Sequence, residues 1–349
     1  ASREGGALAV AAAHTEDSSE GAGEPAGGGG GSSGPAGGSG ERASSAKKGS
    51  GGSRLWYGMY RDGFTGSFVM NAAKYRREPA GSPVRVAKYM SQCLDPKPPR
   101  GCDLAVARMD PPRGRGWQRV GRVSREFLAA LPPTDPIRGA PKWKSCAVVG
   151  NGGSLLLQRS GEDIDAHDAV IRFNGGVTKG FEQHVGTRTT LRLLNSQHLG
   201  FHESESEVLL QHVTVEANMG KVLAFKASHP RLKLYITDGD FHQHVLDTMD
   251  DGAASNGFFG LVLAAERCES VTLFGFYKGW RQGDGSEGKG ATKYHYYDKV
   301  EPNQSQQGRD DAETPRLVAF LRKHRGLVKF AEPQGQALLG EGEEQGGEV

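Results

Sequence analysis

Lys144-Ser-Cys-Ala-Val-Val-Gly-Asn-Gly-Gly-Ser-Leu155, followed by Asp168-Ala-Val-Ile-Arg-Phe-Asn-Gly-Gly176, decides how this chain folds. It reads as strand, glycine turn, helix, and a second strand that ends on an asparagine. Val148 and Val149 are β-branched and suit a buried strand, while Gly150, Gly152 and Gly153 let the backbone turn tightly. Ser154 is placed to cap a helix predicted over Ser154–Asp165. Unpaired N–H groups at such a helix start are a ready place for a phosphate. Asn151 and Asn174, both at strand ends, then flank one crevice, and the pattern points to a nucleotide site.

Outward from this stretch, apolar β-branched runs alternate with helical ones. The predicted strands are Cys146–Gly150, Ala169–Asn174, Thr189–Asn195, Lys221–Phe225, Lys233–Asp238 and Ser270–Phe276. The predicted helices are Ser154–Asp165, Phe241–Met249, Gly257–Cys268 and Thr314–His324. Continuous apolar strands separated by helices indicate a mostly parallel central sheet covered by helices on both faces, a Rossmann-like α/β fold. Ligands of such sheets bind at the strand carboxyl ends, where Asn151 and Asn174 fall. Arg54 to Pro141, rich in Pro, Arg and Gly, reads instead as an irregular wrap, with Asp135-Pro-Ile-Arg-Gly-Ala-Pro141 punctuating its end.

The chain has 349 residues and a net charge of +2, which gives no global argument for nucleic acid as a partner. Of its 52 glycines, 16 lie in residues 1–53, where Ser, Ala and Pro supply most of the rest. That segment cannot bury enough apolar surface to fold and is expected to be a disordered stem or linker. Residues 334–349, rich in Gly and Glu, are expected to form a solvated acidic tail. Residues 54–333 remain as a single domain with its core over 140–330. No run of about 18 apolar residues is present, and Leu8 to Ala13 is too short and lacks a basic flank for a signal peptide. The chain does not open with Met, and a flexible first segment is what a stem between a membrane anchor and a lumenal domain looks like.

Cys93, Cys102, Cys146 and Cys268 form no C-x-x-C pair, and the histidines show no metal-ligand spacing, so no metal site is expected. Cys146 and Cys268 read either as two buried thiols or as a disulfide of an oxidising compartment. Asn303-Gln-Ser305 is a glycosylation sequon. A dinucleotide enzyme of the NAD oxidoreductase type fits poorly. Leu155 occupies the third glycine position of G-x-G-x-x-G, and Asn174 closes the second strand where a ribose-binding carboxylate is required. Ser255-Asn-Gly-Phe-Phe-Gly-Leu261, continued to Leu273-Phe-Gly-Phe276, reads as a small-residue turn entering a helix. Ser255 or Asn256 is either an ordinary N-cap or part of a second helix start aimed at the same anion. Lys293-Tyr-His-Tyr-Tyr-Asp-Lys299 is either a half-buried aromatic loop or places His295 on a phosphate.

Taken together, these three stretches resemble, in order and spacing, the large, small and third motifs of the eukaryotic sialyltransferases, glycosyltransferase family 29, including the sialyltransferase-like proteins of plants and algae. The resemblance spans roughly residues 140–300. It implies a variant GT-A-type fold, a CMP-sialic acid donor or a similar CMP-sugar, inversion at the anomeric centre, and no cofactor or metal. It implies that Asn151, Gly152 and Asn174 hold the nucleotide and that Ser255, Asn256 and Gly257 line the site for the donor's carboxylate and glycosyl part. His295 and Tyr296 then stand near the phosphate, and Cys146 pairs with Cys268. The acceptor is expected to be a glycoprotein, glycolipid or polysaccharide. The location is expected to be the Golgi lumen, with the membrane reached only through a type II anchor outside these residues.

One motif departs from the family. Its fourth motif, a His followed by Glu five positions on, supplies the base, yet no histidine lies between His295 and His324 here. By count Asp311 falls near that place, with Asp310 and Glu313 beside it. Asp311 is the expected base if burial raises its pKa. The alternative is that these acids only cap a helix beginning at Thr314-Pro315, and the missing His motivates a second reading of the chain, as a CMP-binding pseudoenzyme.

Overall fold

The strands around the glycine motif are apolar on both faces, so they can exist only inside a covered sheet. The computed structural model of the chain describes residues 63–89, 115–249, 254–276, 293–299 and 304–337. The expectations for residues 1–53, Cys93, Cys102, Asn303 and the tail beyond 337 lie outside the described residues. The domain expected over 54–333 falls within one unit, Ser53–Val349.

Two antiparallel strands come first, β1 (Pro83–Tyr89) and β2 (Arg115–Arg122), with a register shift between Val84 and Arg85. The expected irregular wrap is therefore partly a sheet. The alternation that announces it is short, with Val84 and Val86 buried and Arg85 between them exposed. Seven parallel strands come next: β3 (Cys146–Val149), β4 (Ala169–Phe173), β5 (Leu191–Leu194), β6 (Val208–Gln211), β7 (Leu234–Ile236), β8 (Val271–Phe274) and β9 (Val328–Phe330). Their order in space is β7-β6-β5-β4-β3-β8-β9. The chain runs outward from β3 to β7 and returns to β8 on the other side of β3. The reversal therefore opens a crevice at the carboxyl ends of β3 and β8, where ligands of open α/β sheets bind.

Among the described residues, the connections between these parallel strands hold a one-turn α-helix, Glu182–Val185, and five longer helices: α1 (Gly161–Asp165), α2 (Glu216–Ser228), α3 (Gly239–Thr248), α4 (Asn256–Arg267) and α5 (Gln304–Lys323). Three predicted elements need correction. Lys221–Phe225 is not a strand but lies within α2, whose buried Met219 and Val222 stand three apart, a helical spacing. The strand of this region is β6, hidden in sequence by the Ser/Glu run before it. The predicted Ser154–Asp165 helix splits into a 3-10 helix, Gly153–Leu157, and α1. Gly152 stands in the capping position with no side-chain cap, and Ser154 lies inside the turn. Leu155, Leu156 and Leu157 are consecutive instead of spaced on one face, and Leu156 and Leu157 are 37% and 68% exposed. Gly161 seats the break, because a Cβ there would stand 2.0 Å from the Glu182 carbonyl oxygen.

Finally, α5 starts at Gln304 and carries Pro315 inside it, so Asp310 and Asp311 do not cap a helix beginning at Thr314. The expected tail also begins later than Gln334. Pro333–Ala337 form a short helix, and the Gln336 side chain accepts from Phe330 N at 3.2 Å. Away from the carboxyl-end crevice, Cys146 at the start of β3 is bonded to Cys268 just past α4, with Cα atoms 6.1 Å apart.

Two histidines are buried beside β6 and β7. Thr237 Oγ1 lies 2.8 Å from His242 Nε2, and His212 Nδ1 lies 3.4 Å from the same nitrogen. Burial depresses both rings, His242 to about 4, and for His212 the neighbouring ring adds to it. A folded-state pKa below the unfolded value near 6.5 gives stability that is present above pH 6.5 and lost as pH falls toward 4. Acidification from pH 7 to 5 is expected to cost about 2 kcal/mol through His242. Urea midpoints across that range check this, and His242→Gln is expected to flatten the slope.

Candidate donor site at the strand carboxyl ends

Close backbone contact joins the three motif stretches. A Cβ at Gly150 or Gly152 would stand 2.7 or 2.6 Å from the Gly275 carbonyl oxygen, just past β8. At Gly153 it would stand 2.2 Å from the Lys293 carbonyl oxygen. The motif's glycines are thus demanded by neighbouring chain, and the phosphate-cradling helix start read from the sequence is replaced by a five-residue 3-10 turn. Gly152 and His295 form an antiparallel bridge, and Tyr296 N donates to Asn151 O at 3.0 Å. The third motif is therefore strapped across the first.

Asn151 Nδ2 donates to Phe173 O at 3.2 Å and to Tyr297 Oη at 3.4 Å, tying the end of β3 to the end of β4. Asn174 adopts φ +50, a left-handed conformation that asparagine tolerates better than most residues. Its Oδ1 accepts from Asn195 N at 3.0 Å and from Asn256 Nδ2 at 2.9 Å. One amide oxygen thus joins the carboxyl ends of β4 and β5 to the first residue of α4. Ser255 Oγ accepts from Phe258 N at 3.1 Å, the ordinary capping role. Its own N–H donates to Glu313 Oε1 at 2.9 Å, which brings α5 to the same place. At Gly257 a Cβ would meet the Phe276 ring at 3.2 Å.

His295 Nδ1 lies 2.6 Å from Asp298 Oδ2, and its ring stacks on Tyr297 with centroids 5.1 Å apart and planes 10° apart. That leaves Nε2 for a ligand, and a protonated ring there suits a phosphate. Tyr296 is buried and donates to Val177 O at 2.6 Å, and burial drives its phenol pKa far up. Tyr297 is pushed up to about 12, by burial first and then by the Asp298 charge. Both hydroxyls therefore stay protonated as donors.

Beneath the site, Arg172 and Arg192 stand opposite each other in β4 and β5, both buried. Burial pulls the Arg172 pKa down to about 10. Arg192 Nε meets Glu207 at 2.7 Å and Nη2 meets Glu203 at 3.1 Å. Its Nη1 donates to the carbonyls of Asn174 at 3.1 Å and Gly176 at 2.8 Å, holding the turn after β4 in place.

Of the residues expected at the site, Asn151, Gly152, Asn174, Ser255, Asn256, Gly257, His295 and Tyr296 come together at the carboxyl ends of β3, β4 and β8. Asp311 lies within α5, its side chain outside the described residues. Arg192 and His198 are not expected at the site from the sequence, and Glu313 is expected only as an acid beside Asp311. Of the first two, only His198 has a visible signal, as a histidine three residues beyond Asn195, the strand-end asparagine that matches Asn174.

The profile of glycosyltransferase family 29 (sialyltransferase) matches residues 105–215 and 201–314. A beta-galactoside alpha-2,6-sialyltransferase 2 of Takifugu rubripes is 30% identical over 208 residues, covering 49% of this chain and 38% of that protein. A sialyltransferase-like protein 2 of Arabidopsis thaliana is 29% identical over 191 residues, covering 50% of this chain and 41% of that protein. These matches thus span less than half of each relative's length. The crystal structure of a mammalian sialyltransferase superposes with a TM-score of 0.46 at 22% identity, covering 59% of this chain and 76% of that one.

Proposed function

The chain belongs to glycosyltransferase family 29, the sialyltransferases, and from that premise we propose that it moves sialic acid, or a related ulosonic acid, from a CMP-sugar to a hydroxyl of an acceptor glycan. The observation that carries the proposal is the joining of three separate motifs at one crevice. Gly152 is bridged to His295, and Asn256 is bonded to Asn174. In this scheme Asn151 and Asn174 hold CMP, and Ser255, Asn256 and Gly257 face the donor's carboxylate and glycosyl part. His295 and Tyr296 stand by the phosphate, where positive charge and fixed donors stabilise the leaving group.

Transfer is a direct, inverting displacement that uses no metal. The acceptor is a glycoprotein, glycolipid or polysaccharide. The buried Cys146–Cys268 disulfide fits an oxidising compartment, and the Golgi lumen, reached as a type II membrane protein, is the proposed location.

The test is incubation with CMP-sialic acid and a panel of β-galactosides, read by mass. A glycan heavier by one sialic acid residue is the expected product. No product from CMP-sialic acid or from other CMP-ulosonic acids would contradict the proposal.

A further inference from the structure

We propose that His198, and not Asp311, is the catalytic base that takes the proton of the acceptor hydroxyl. This rests on the proposed transfer reaction.

His198 ends the short 3-10 turn Ser196–His198 that follows β5. The turn is fastened to the site, because Asn195 N donates to the Asn174 Oδ1 that also holds Asn256. The His198 ring lies over Gly175, the residue after Asn174, where a Cβ would stand 3.2 Å from both Nδ1 and Cε1. A glycine at 175 therefore makes room for this imidazole. The side chain is half-buried, so one side of the ring stays open to an incoming molecule.

The other histidines near this edge are committed elsewhere. His212 and His242 are buried beside Thr237, and His295 Nδ1 is taken by Asp298. His198 forms no side-chain hydrogen bond among the described residues, so its basic lone pair is available.

The charges around it suit a base. Burial lowers its pKa first, and the charges of His295 and Arg192 lower it further. At neutral pH the ring is therefore uncharged and can accept a proton. Two neighbouring imidazoles in different surroundings, one paired with a carboxylate and one unpaired, are a natural acid and base pair. An imidazole is in general a stronger base than a carboxylate.

The step balances without a co-reactant. The acceptor oxygen forms a bond to the anomeric carbon while the bond from that carbon to the phosphate oxygen breaks, and CMP leaves with the electron pair. The hydroxyl proton passes to a His198 ring nitrogen and later to water. His295 stays with the phosphate throughout.

The experiment compares wild type, His198→Gln and Asp311→Asn for CMP affinity by calorimetry and for transfer from CMP-sialic acid across pH. His198→Gln is expected to bind CMP as wild type does and to lose about 100- to 10,000-fold in kcat. The acid limb of the wild-type pH profile is expected to vanish with it, which a structural role would not cause. Asp311→Asn is expected to keep most of its kcat. Undiminished transfer by His198→Gln, or loss of the acid limb only in Asp311→Asn, overturns the assignment and leaves the transfer reaction standing. A wild-type chain that makes no product from any CMP-ulosonic acid overturns both. His198→Asn repeats the comparison with a smaller side chain should the Gln variant alter CMP affinity.

Discussion

The Cys146→Ala/Cys268→Ala variant is expected to lose about 4–5 kcal/mol of stability, the size given by loop-closure entropy for so long a loop. The two residues are 122 apart in sequence. Cys146 opens the central strand β3, and Cys268 follows the last residue of α4, the helix that packs over that strand. Reduction therefore frees a central strand and its covering helix from each other. The carboxyl end of β3 carries Asn151 and the start of α4 carries Asn256, so the bridge also fixes how two site elements are set along each other. Urea unfolding of wild type with and without reductant, beside the double variant, checks this. Reductant should shift the wild-type midpoint to that of the variant and leave the variant unmoved. Equal midpoints for all three samples would refute the bridge as a stabilising element.

Arg192→Met is expected to cost about 3–5 kcal/mol, because it strands a buried carboxylate without its cation. Arg192 is 0% exposed, and its partner Glu207 is 1% exposed. The carbonyls of Asn174 and Gly176 lose their donor in the same variant, so CMP affinity should fall along with stability. Arg192→Met/Glu207→Leu is expected to recover most of the lost stability, since no buried charge is then left unpaired by this change. It should not recover the affinity, because the turn after β4 still lacks its clamp. A double-mutant cycle on denaturant midpoints at constant slope measures the coupling, and calorimetry with CMP measures the rest. A single variant as stable as wild type would show that the ion pair does not hold the sheet in the way described.

The central strands are legible because burial on both faces leaves a plain mark in the sequence. Cys146–Val149 and Ala169–Phe173 carry only one polar side chain, Arg172, whose Nε and Nη2 donate inward to the Arg188 and Val185 carbonyls. β6 escapes such a reading behind the Ser/Glu run of 203–207, β9 because its three residues include the exposed Lys329, and Lys221–Phe225 misleads because a short apolar run fits helix and strand alike. The site's members are legible as types: asparagines at strand ends, a capping serine, a histidine among tyrosines. Their partners are not. Nothing in the order of residues says that Gly152 meets His295, that Glu313 reaches Ser255, or that His198 rests on Gly175, because each contact is made by folding and spans tens of residues or more. The glycines show the limit best. In sequence they read as room for a phosphate, yet at Gly150, Gly152 and Gly153 the room is filled by the backbones of Gly275 and Lys293.

Whether the crevice holds CMP is the point on which the functional account turns. Calorimetric titration of the wild-type chain with CMP, with NAD(H) as the comparison, measures it directly. CMP should bind, NAD(H) should not, and Asn174→Ala should weaken CMP. The asparagine is predicted both to contact the nucleotide and, through Oδ1, to hold Asn195 and Asn256 in place. A wild-type chain with no heat of CMP binding, or one that prefers NAD(H), would contradict the account.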